Sequence, residues 1–395
     1  MQKPLLILGA SARAAAMSAS RAGFSPIAAD LFADMDLVAL CHATRVSKYP
    51  EELESAALAA PLGPFIYTGG LENHAELIDR IARRRELLGN NGTVLREVRN
   101  PQTVMECLRS EGIHCPEIRL EHELPSGGQW LKKLFHGSGG SKVRLYNEQP
   151  DSRAASEARN HSGVESSHVY YYQQFISGPS YSAVYVGNGS RATMIGLTQQ
   201  LVGIDWLGAP RFAYCGSIGP ILVSLLLRQQ LEAVGDCVAC SFKLFGLFGV
   251  DMIIRDEEVW PVEVNPRYTA SVEVLEAAMS LRAISLHTTA CREQAIPTTI
   301  SKPNSSLLFG KGIRYANADI VITEQTADLV RGFNDASDWP VFADLPFPGT
   351  VVKTGSPIAT AFGRGNSSND VLNQMQSLWH SFEETVDRRA SLLEY

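Results

Sequence analysis

The sequence lacks any apolar run approaching the roughly 20 residues of a membrane-spanning helix. Over its 395 residues it also lacks a basic excess. A net charge of −7 and a pI near 5.8 exclude a surface built to neutralise a nucleic-acid backbone. The seven cysteines are odd in number and follow no framework spacing. That excludes a disulfide scaffold and points to reduced thiols in the cytoplasm. No internal repeat or low-complexity tract is present.

Two familiar motifs occur only in incomplete form. "GASARA", after the first apolar strand, has Ser11 and Ala14 where a dinucleotide fingerprint carries its second and third glycines. In that reading Asp30 is the ribose ligand. In the alternative, the helix start holds an anionic group on its free amides, with Arg13 beside it. Cys237 and Cys240 form a CxxC in a helical stretch, without the second pair or exposed helix start that zinc or redox chemistry needs, and read as structural. The N-terminal "MQKPLLILGASARAAAM" imitates a signal peptide. Its apolar run is too short and Arg13 interrupts it, so a strand entering a helix explains it better.

What is there is length and alternation. The chain is long enough for two or three packed units, since single cores seldom grow past about 250–300 residues. Residues 1–95 alternate apolar strands (Leu5–Gly9, Pro26–Asp30, Phe65–Thr68) with helical stretches, the pattern of a parallel α/β domain. Residues 96–178 form a smaller lobe, with a helix near Pro101–Ser110 followed by short strands. Residues 179–300 alternate strands and long helices. Residues 301–395 are β-rich, punctuated by Pro and Gly as in a small barrel, and end in a helix from Val371. The fold class is therefore α/β and α+β combined.

The stretch "GVDMIIRDEEVWPVEVNPR" carries the chemistry. Alternation puts Glu263 and Asn265 on one strand face. If Asp256, Glu257 and Glu258 form a three-residue hairpin loop, Arg255 pairs with Val259 and Asp251 lies opposite Glu263. Asp251, Glu263 and Asn265 then share one face. Three hard oxygen ligands suit Mg²⁺, with Mn²⁺ as a substitute, and a nucleotide is the natural source of phosphate oxygens. The alternative is a pair of acids on a solvated edge hairpin. "WLKKLFHGSGGSKVR" is a lysine strand running into a Gly-rich turn at residues 137–141, whose bare backbone admits phosphate. Only one of Lys132 and Lys133 faces the cleft. The plain alternative is a ligand-free hairpin loop. Residues too small to pack a core make it a lid ordered by phosphates. "QQFISG" reads as an extended linker whose backbone can meet an adenine edge, or as a simple connection between lobes.

In this order and with these residues, the chain resembles the ATP-grasp superfamily over nearly its whole length. The Glu-x-Asn-Pro-Arg segment is the most specific element of the resemblance, and the C-terminal third is similar to the barrel of biotin carboxylase-like members. The resemblance implies that Lys133 binds phosphate and that Ser138, Gly139 and Gly140 cover ATP. It makes Gln174, Phe175 and Ile176 the adenine hinge, with Gln174 where many members have Glu. It has Asp251, Glu263 and Asn265 hold Mg²⁺ and Arg267 face the transferred phosphoryl group. Where relatives carry an early lysine this chain has "REVRNPQTV", so that either Arg99 substitutes or the contact is missing. For Arg267 the competing role is a salt bridge to Glu273 or Glu276. The implied reaction is ADP-forming carbon–nitrogen ligation of a small carboxylate to an amine through an acyl phosphate, in the manner of ligases that include those of C1-carrier coenzyme biosynthesis. Biotin-type carboxylation is the rival, but "SAVYVGNGSRATMIGLTQQLVG" lacks its HIEVQ-like and Arg-rich segments. A non-catalytic ATP-binding regulatory protein is the second rival. The expected partners are small molecules, with no nucleic acid and no membrane, and the exposed C-terminal faces suit a homodimer.

Overall fold

The structure is a computed structural model that describes residues 3–140, 142–146, 170–300, 307–337 and 339–388. Ser141 of the expected lid and residues 301–306 of the expected boundary lie outside them.

The N-terminal strands form a four-stranded parallel sheet in the order His42–Arg45, Phe24–Asp30, Lys3–Leu8, Phe65–Tyr67. Leu5, Leu6, Ile7 and Leu8 are all buried because helices cover both faces, as a parallel sheet requires. The edge strand His42–Arg45 has no apolar run and is largely exposed, which is why pattern alone passes over it. Asp30 is no ribose ligand in this arrangement. Its two oxygens accept the backbone N–H groups of Ala12, Phe32 and Ala33. Gly9 is needed because a Cβ there would meet Thr68 Oγ1 at 2.0 Å, a close approach between protein segments.

A second, four-stranded antiparallel sheet runs Ile118–Arg119, Tyr170–Gln174, Trp130–Leu134, Arg144–Leu145. The largest sheet has eight antiparallel strands. They run Glu258–Asn265, Phe245–Arg255, Ser180–Asn188, Ala192–Val202, Tyr214–Gly219, Leu308–Tyr315, Pro357–Gly365, Phe342–Ala343. Three strands from the C-terminal third thus continue this sheet edge to edge. Val351–Val352, Ile320–Val321 and Asp387–Arg388 form a separate small sheet. The last helix is Ser368–Glu383, capped by Ser367 and Asp370.

Helix Leu225–Phe242 packs on the large sheet together with helix Pro101–Ser110. Helices Ala270–Met279 and Ala283–Glu293 share a core with the N-terminal sheet. Buried apolar contact of this kind fixes the N-terminal unit against the large sheet. Ionic contacts add to it. Arg13 donates to Glu273 and Asp344, and Lys311 donates to Glu273 at 3.1 Å. Arg13 is therefore committed to carboxylates and does not await an anion at the helix start. In the CxxC pair, Cys240 is exposed while Cys237 Sγ meets Cys107 Sγ at 3.7 Å.

Candidate functional site

The hairpin reaches the expected pairing by a different path. Its loop has two residues, Asp256 and Glu257, both left-handed at φ +54 and +62, so Arg255 pairs with Glu258 and Ile254 with Val259. Left alone, that register would misalign the acids. A bulge between Asp251 and Met252 skips Val262 and restores Asp251 opposite Glu263. Its cause lies in the sequence. Pro261 has no N–H for the ladder, and an edge strand with a bulge is where such a residue fits. The Val262 carbonyl accepts Gln173 Nε2 at 3.0 Å.

The hairpin forms one wall of a cavity of about 790 Å³ between the two antiparallel sheets. Asp251, Glu263, Asn265, Lys133, Arg99 and Arg267 all line it, as do the turn at 137–140 and the segment Gln174–Ile176. Alternation selects the lysine. Lys132 lies over the Tyr170 and Tyr172 rings at 4.3 and 5.7 Å on the far face. Lys133 pairs across the ladder with Tyr171 and donates to Gln173 Oε1 at 3.1 Å on the cavity face.

The two acids are set apart electrostatically. Burial, and then the charge on Glu263, pushes the Asp251 carboxyl up to about 6. Burial acts the same way on Glu263, but Arg99 and then Lys133 hold it below the usual carboxylate range. Arg99 Nη1 donates to Glu263 Oε1 at 2.6 Å. Two close acids, one under-neutralised, together with an amide, are a donor set that suits a hard divalent cation. Among the described residues no group of three or more His, Cys, Asp or Glu side chains is placed to hold a metal ion, so the amide would have to be the third protein donor. Here Asn265 Nδ2 donates to Asp251 Oδ2 at 3.0 Å and Oδ1 accepts from Arg267 at 3.3 Å. Coordination would require that amide to turn.

Arg267 finds its acid elsewhere than on the following helix. Glu273 serves Arg13 and Lys311, and Glu276 serves Arg21 and Ser18, because that helix face is turned to the N-terminal unit. Arg267 Nε instead donates to Glu72 Oε1 at 2.8 Å and Nη1 to the Tyr268 carbonyl at 3.1 Å, and a Cβ on Gly69 would meet the guanidinium at 3.4 Å. Glu72 is 1% exposed. No pattern marks it as a partner for Arg267, since the two are 195 residues apart. Gln173 and Gln200, which donates to Asp251 Oδ1 at 3.1 Å, are likewise polar residues in strands that sequence alone reads as surface.

Past Arg267 the chain turns into helix Ala270–Met279, whose N-terminus opens on the cavity. Thr269 is 6% exposed, and its Oγ1 has no hydrogen-bond partner among the described residues. Beside it runs a row of hydroxyls. Thr198 Oγ1 donates to Ser271 Oγ at 2.9 Å, Ser217 Oγ lies 3.4 Å from Ser271, and Tyr214 OH lies 2.9 Å from Ser217. Free helix amides, a guanidinium and an unpartnered buried hydroxyl together make a place for an anion.

At the nucleotide side the Gly-rich turn and the hinge both meet protein groups. Gly139 O accepts from Tyr214 N at 2.9 Å, Gly137 O accepts from Arg99 at 2.9 Å, and a Cβ on Gly140 would meet Phe212 O at 2.1 Å. In the hinge, Gln174 spends its side chain on the Glu117 N–H at 3.2 Å, and Phe175 N donates to Gln129 O at 2.9 Å.

Residues 99–271 match the family described as "ATP-grasp domain". An uncharacterized protein of Methanocaldococcus jannaschii is 23% identical over 98% of this chain and 94% of its own length. The L-amino acid ligase of Bacillus licheniformis superposes with a TM-score of 0.67 at 13% identity, over 98% of both chains. The biotin carboxylase domain of Hydrogenobacter thermophilus 2-oxoglutarate carboxylase, solved as a dimer with MgADP, ADP and bicarbonate, gives 0.70 at 13% identity over 97% and 90%. At these identities the two solved structures are alike to this chain in fold. Residues 99–271 are thus an ATP-grasp domain, and over nearly its whole length the chain shares the fold of these two solved structures.

Proposed function

We propose that this chain is an ATP- and Mg²⁺-dependent ligase that joins a small carboxylate to an amine through an acyl phosphate and releases ADP and phosphate. The observation that carries the reading is one wall holding both kinds of site. The Asp251–Glu263–Asn265 donor set and the helix start at Thr269 stand on either side of Arg267, in a cavity that also contains Lys133.

The roles follow from charge. Mg²⁺, held by Asp251, Glu263 and Asn265, would neutralise and orient phosphate oxygens. Lys133 adds a compact positive charge from the opposite sheet. The unpartnered Thr269 hydroxyl and the first amides of helix Ala270–Met279 would receive the substrate carboxylate. Arg267, with its planar fork held by Glu72 and the Tyr268 carbonyl, would then lie between carboxylate and phosphate, where negative charge develops during transfer. Bringing two anions together is the main barrier, and positioned cations lower it. The docked Gly-rich turn would keep water from the acyl phosphate.

The test is ADP release measured with Mg²⁺ and ATP while carboxylate and amine pools are added singly and together, with bicarbonate as a separate arm. This reading requires turnover that depends on an organic carboxylate and ends in an amide adduct. Turnover supported by bicarbonate alone would favour carboxylation, and none in any arm would favour a regulatory nucleotide binder.

A further inference from the structure

The N-terminal unit reaches the cavity through two adjacent residues of one short turn, Leu71–Asn73. Glu72 holds Arg267, and Asn73 holds Arg99. The second contact is the more informative. Asn73 Oδ1 accepts from Arg99 Nε and Nη2 at 3.3 and 3.2 Å, while Asn73 Nδ2 donates to Gly137 O at 3.4 Å. Arg99 Nη2 donates to the same carbonyl at 2.9 Å. Asn73, Arg99 and Gly137 therefore form a closed ring. The other arm of Arg99, Nη1, reaches Glu263 Oε1 at 2.6 Å and Val264 O at 3.2 Å.

We propose that Asn73 is a positioning residue that ties the base of the Gly-rich turn to the Glu263 strand through Arg99. A guanidinium on a long side chain has many rotamers, and bidentate capture by one amide oxygen fixes its plane. The same amide supplies the N–H that shares Gly137 O, so only a side chain with both an acceptor and a donor closes the ring. Neither contact is legible locally, since Asn73 and Gly137 are 64 residues apart. The consequence is that the turn's docking and the orientation of Arg99 toward Glu263 stand or fall together, under control of the N-terminal unit. This rests on reading the cavity as the nucleotide site only for its functional meaning, because the ring itself is made of protein groups alone.

The experiment is amide exchange on the nucleotide-free protein, comparing the parent with Asn73→Ala and Asn73→Asp. The reporters are Gly137 N, Val143 N and Tyr214 N, which donate to Leu134 O, Gly140 O and Gly139 O. Asn73→Ala should speed their exchange by about fivefold or more, the equivalent of one or two hydrogen bonds, while amides of strand Ser180–Asn188 keep the parent rates. Asn73→Asp keeps the acceptor for Arg99 but has no N–H for Gly137 O, so it should loosen the turn too. In both variants the apparent KM for ATP should rise more than kcat falls. Unchanged exchange at the three reporters in either variant would overturn the proposal. Equal acceleration at the reporters and across the large sheet would make Asn73 a general stability residue and overturn it as well. Because exchange is read without nucleotide, a failure here is separable from a failure to bind ATP.

Discussion

Arg99 donates to Glu263 Oε1 at 2.6 Å, so the acid offered to a cation already carries a buried positive partner that is 8% exposed. A divalent ion at Glu263 has to share that carboxylate with the guanidinium. Replacing Glu263 by Gln keeps a hydrogen-bond acceptor for Arg99 while removing the charge both partners need. The variant should fold, require more Mg²⁺, and lose most turnover. A Mg²⁺ titration of ADP release checks this, and an unshifted titration would remove Glu263 from the metal site.

Arg267→Lys keeps the charge but loses the planar fork that reaches Glu72, Asn265 and the Tyr268 carbonyl. If Arg267 stabilises charge developing in phosphoryl transfer, turnover should fall on the order of a hundredfold with little change in ATP affinity. Steady-state kinetics and a nucleotide-binding titration separate the two quantities. A lower melting temperature with turnover per folded molecule intact would make Arg267 a structural tie between the units.

Thr269 gives a test in which stability and function move in opposite senses. Its hydroxyl is buried and has no partner among the described residues, and such a group costs about 1–3 kcal/mol of desolvation. Thr269→Val keeps the shape, so the protein should be as stable as the parent or more so. The apparent KM for the carboxylate should rise about tenfold, the equivalent of about 1.4 kcal/mol. Urea midpoints together with carboxylate saturation curves measure both. Loss of stability with an unaltered KM would take the carboxylate away from the helix start.

How much of this was legible in the sequence differs element by element. Helix Pro101–Ser110 and the apolar strands of the parallel sheet follow from period and capping. The opposition of Asp251 and Glu263 also follows, although from a loop one residue too long. The omitted bulge made up the difference, and Pro261 was its visible cause. Lys133 could be narrowed to one of two by alternation, and the Tyr170 and Tyr172 rings account for the other lysine. Glu72 and Asn73 were not legible. Their partners lie far along the chain, and an acid followed by an amide at a helix start ordinarily reads as capping. The docking of the Gly-rich turn was missed for a related reason. Besides the distant Arg99 and Asn73 side chains at Gly137, its neighbours are backbone groups of Phe212 and Tyr214, which carry no side-chain signature.

His287 supplies a pH dependence outside the cavity. It is buried, accepts the Leu247 N–H on Nδ1 at 2.8 Å and faces the Leu88 carbonyl with Nε2 at 3.0 Å. Burial lowers its pKa, against the opposing pull of Leu88. A histidine whose folded pKa lies below its unfolded value of about 6.5 adds stability that is fully present above that pH. The contribution is lost as pH falls through it toward the folded pKa. The urea midpoint of the parent should therefore drop more steeply than that of His287→Asn between about pH 7 and pH 5. Parallel slopes for the two proteins would contradict the assignment.

The central claim is that a carboxylate oxygen takes the phosphoryl group before the amine arrives. Its most direct test uses ATP, Mg²⁺, an amine pool and acids labelled with ¹⁸O in the carboxyl group, with released phosphate and adducts read by mass. The account predicts ADP, phosphate carrying one ¹⁸O atom, and an amide whose mass is acid plus amine less labelled water. Phosphate that forms without label, or at the same rate when acid and amine are omitted, would contradict it.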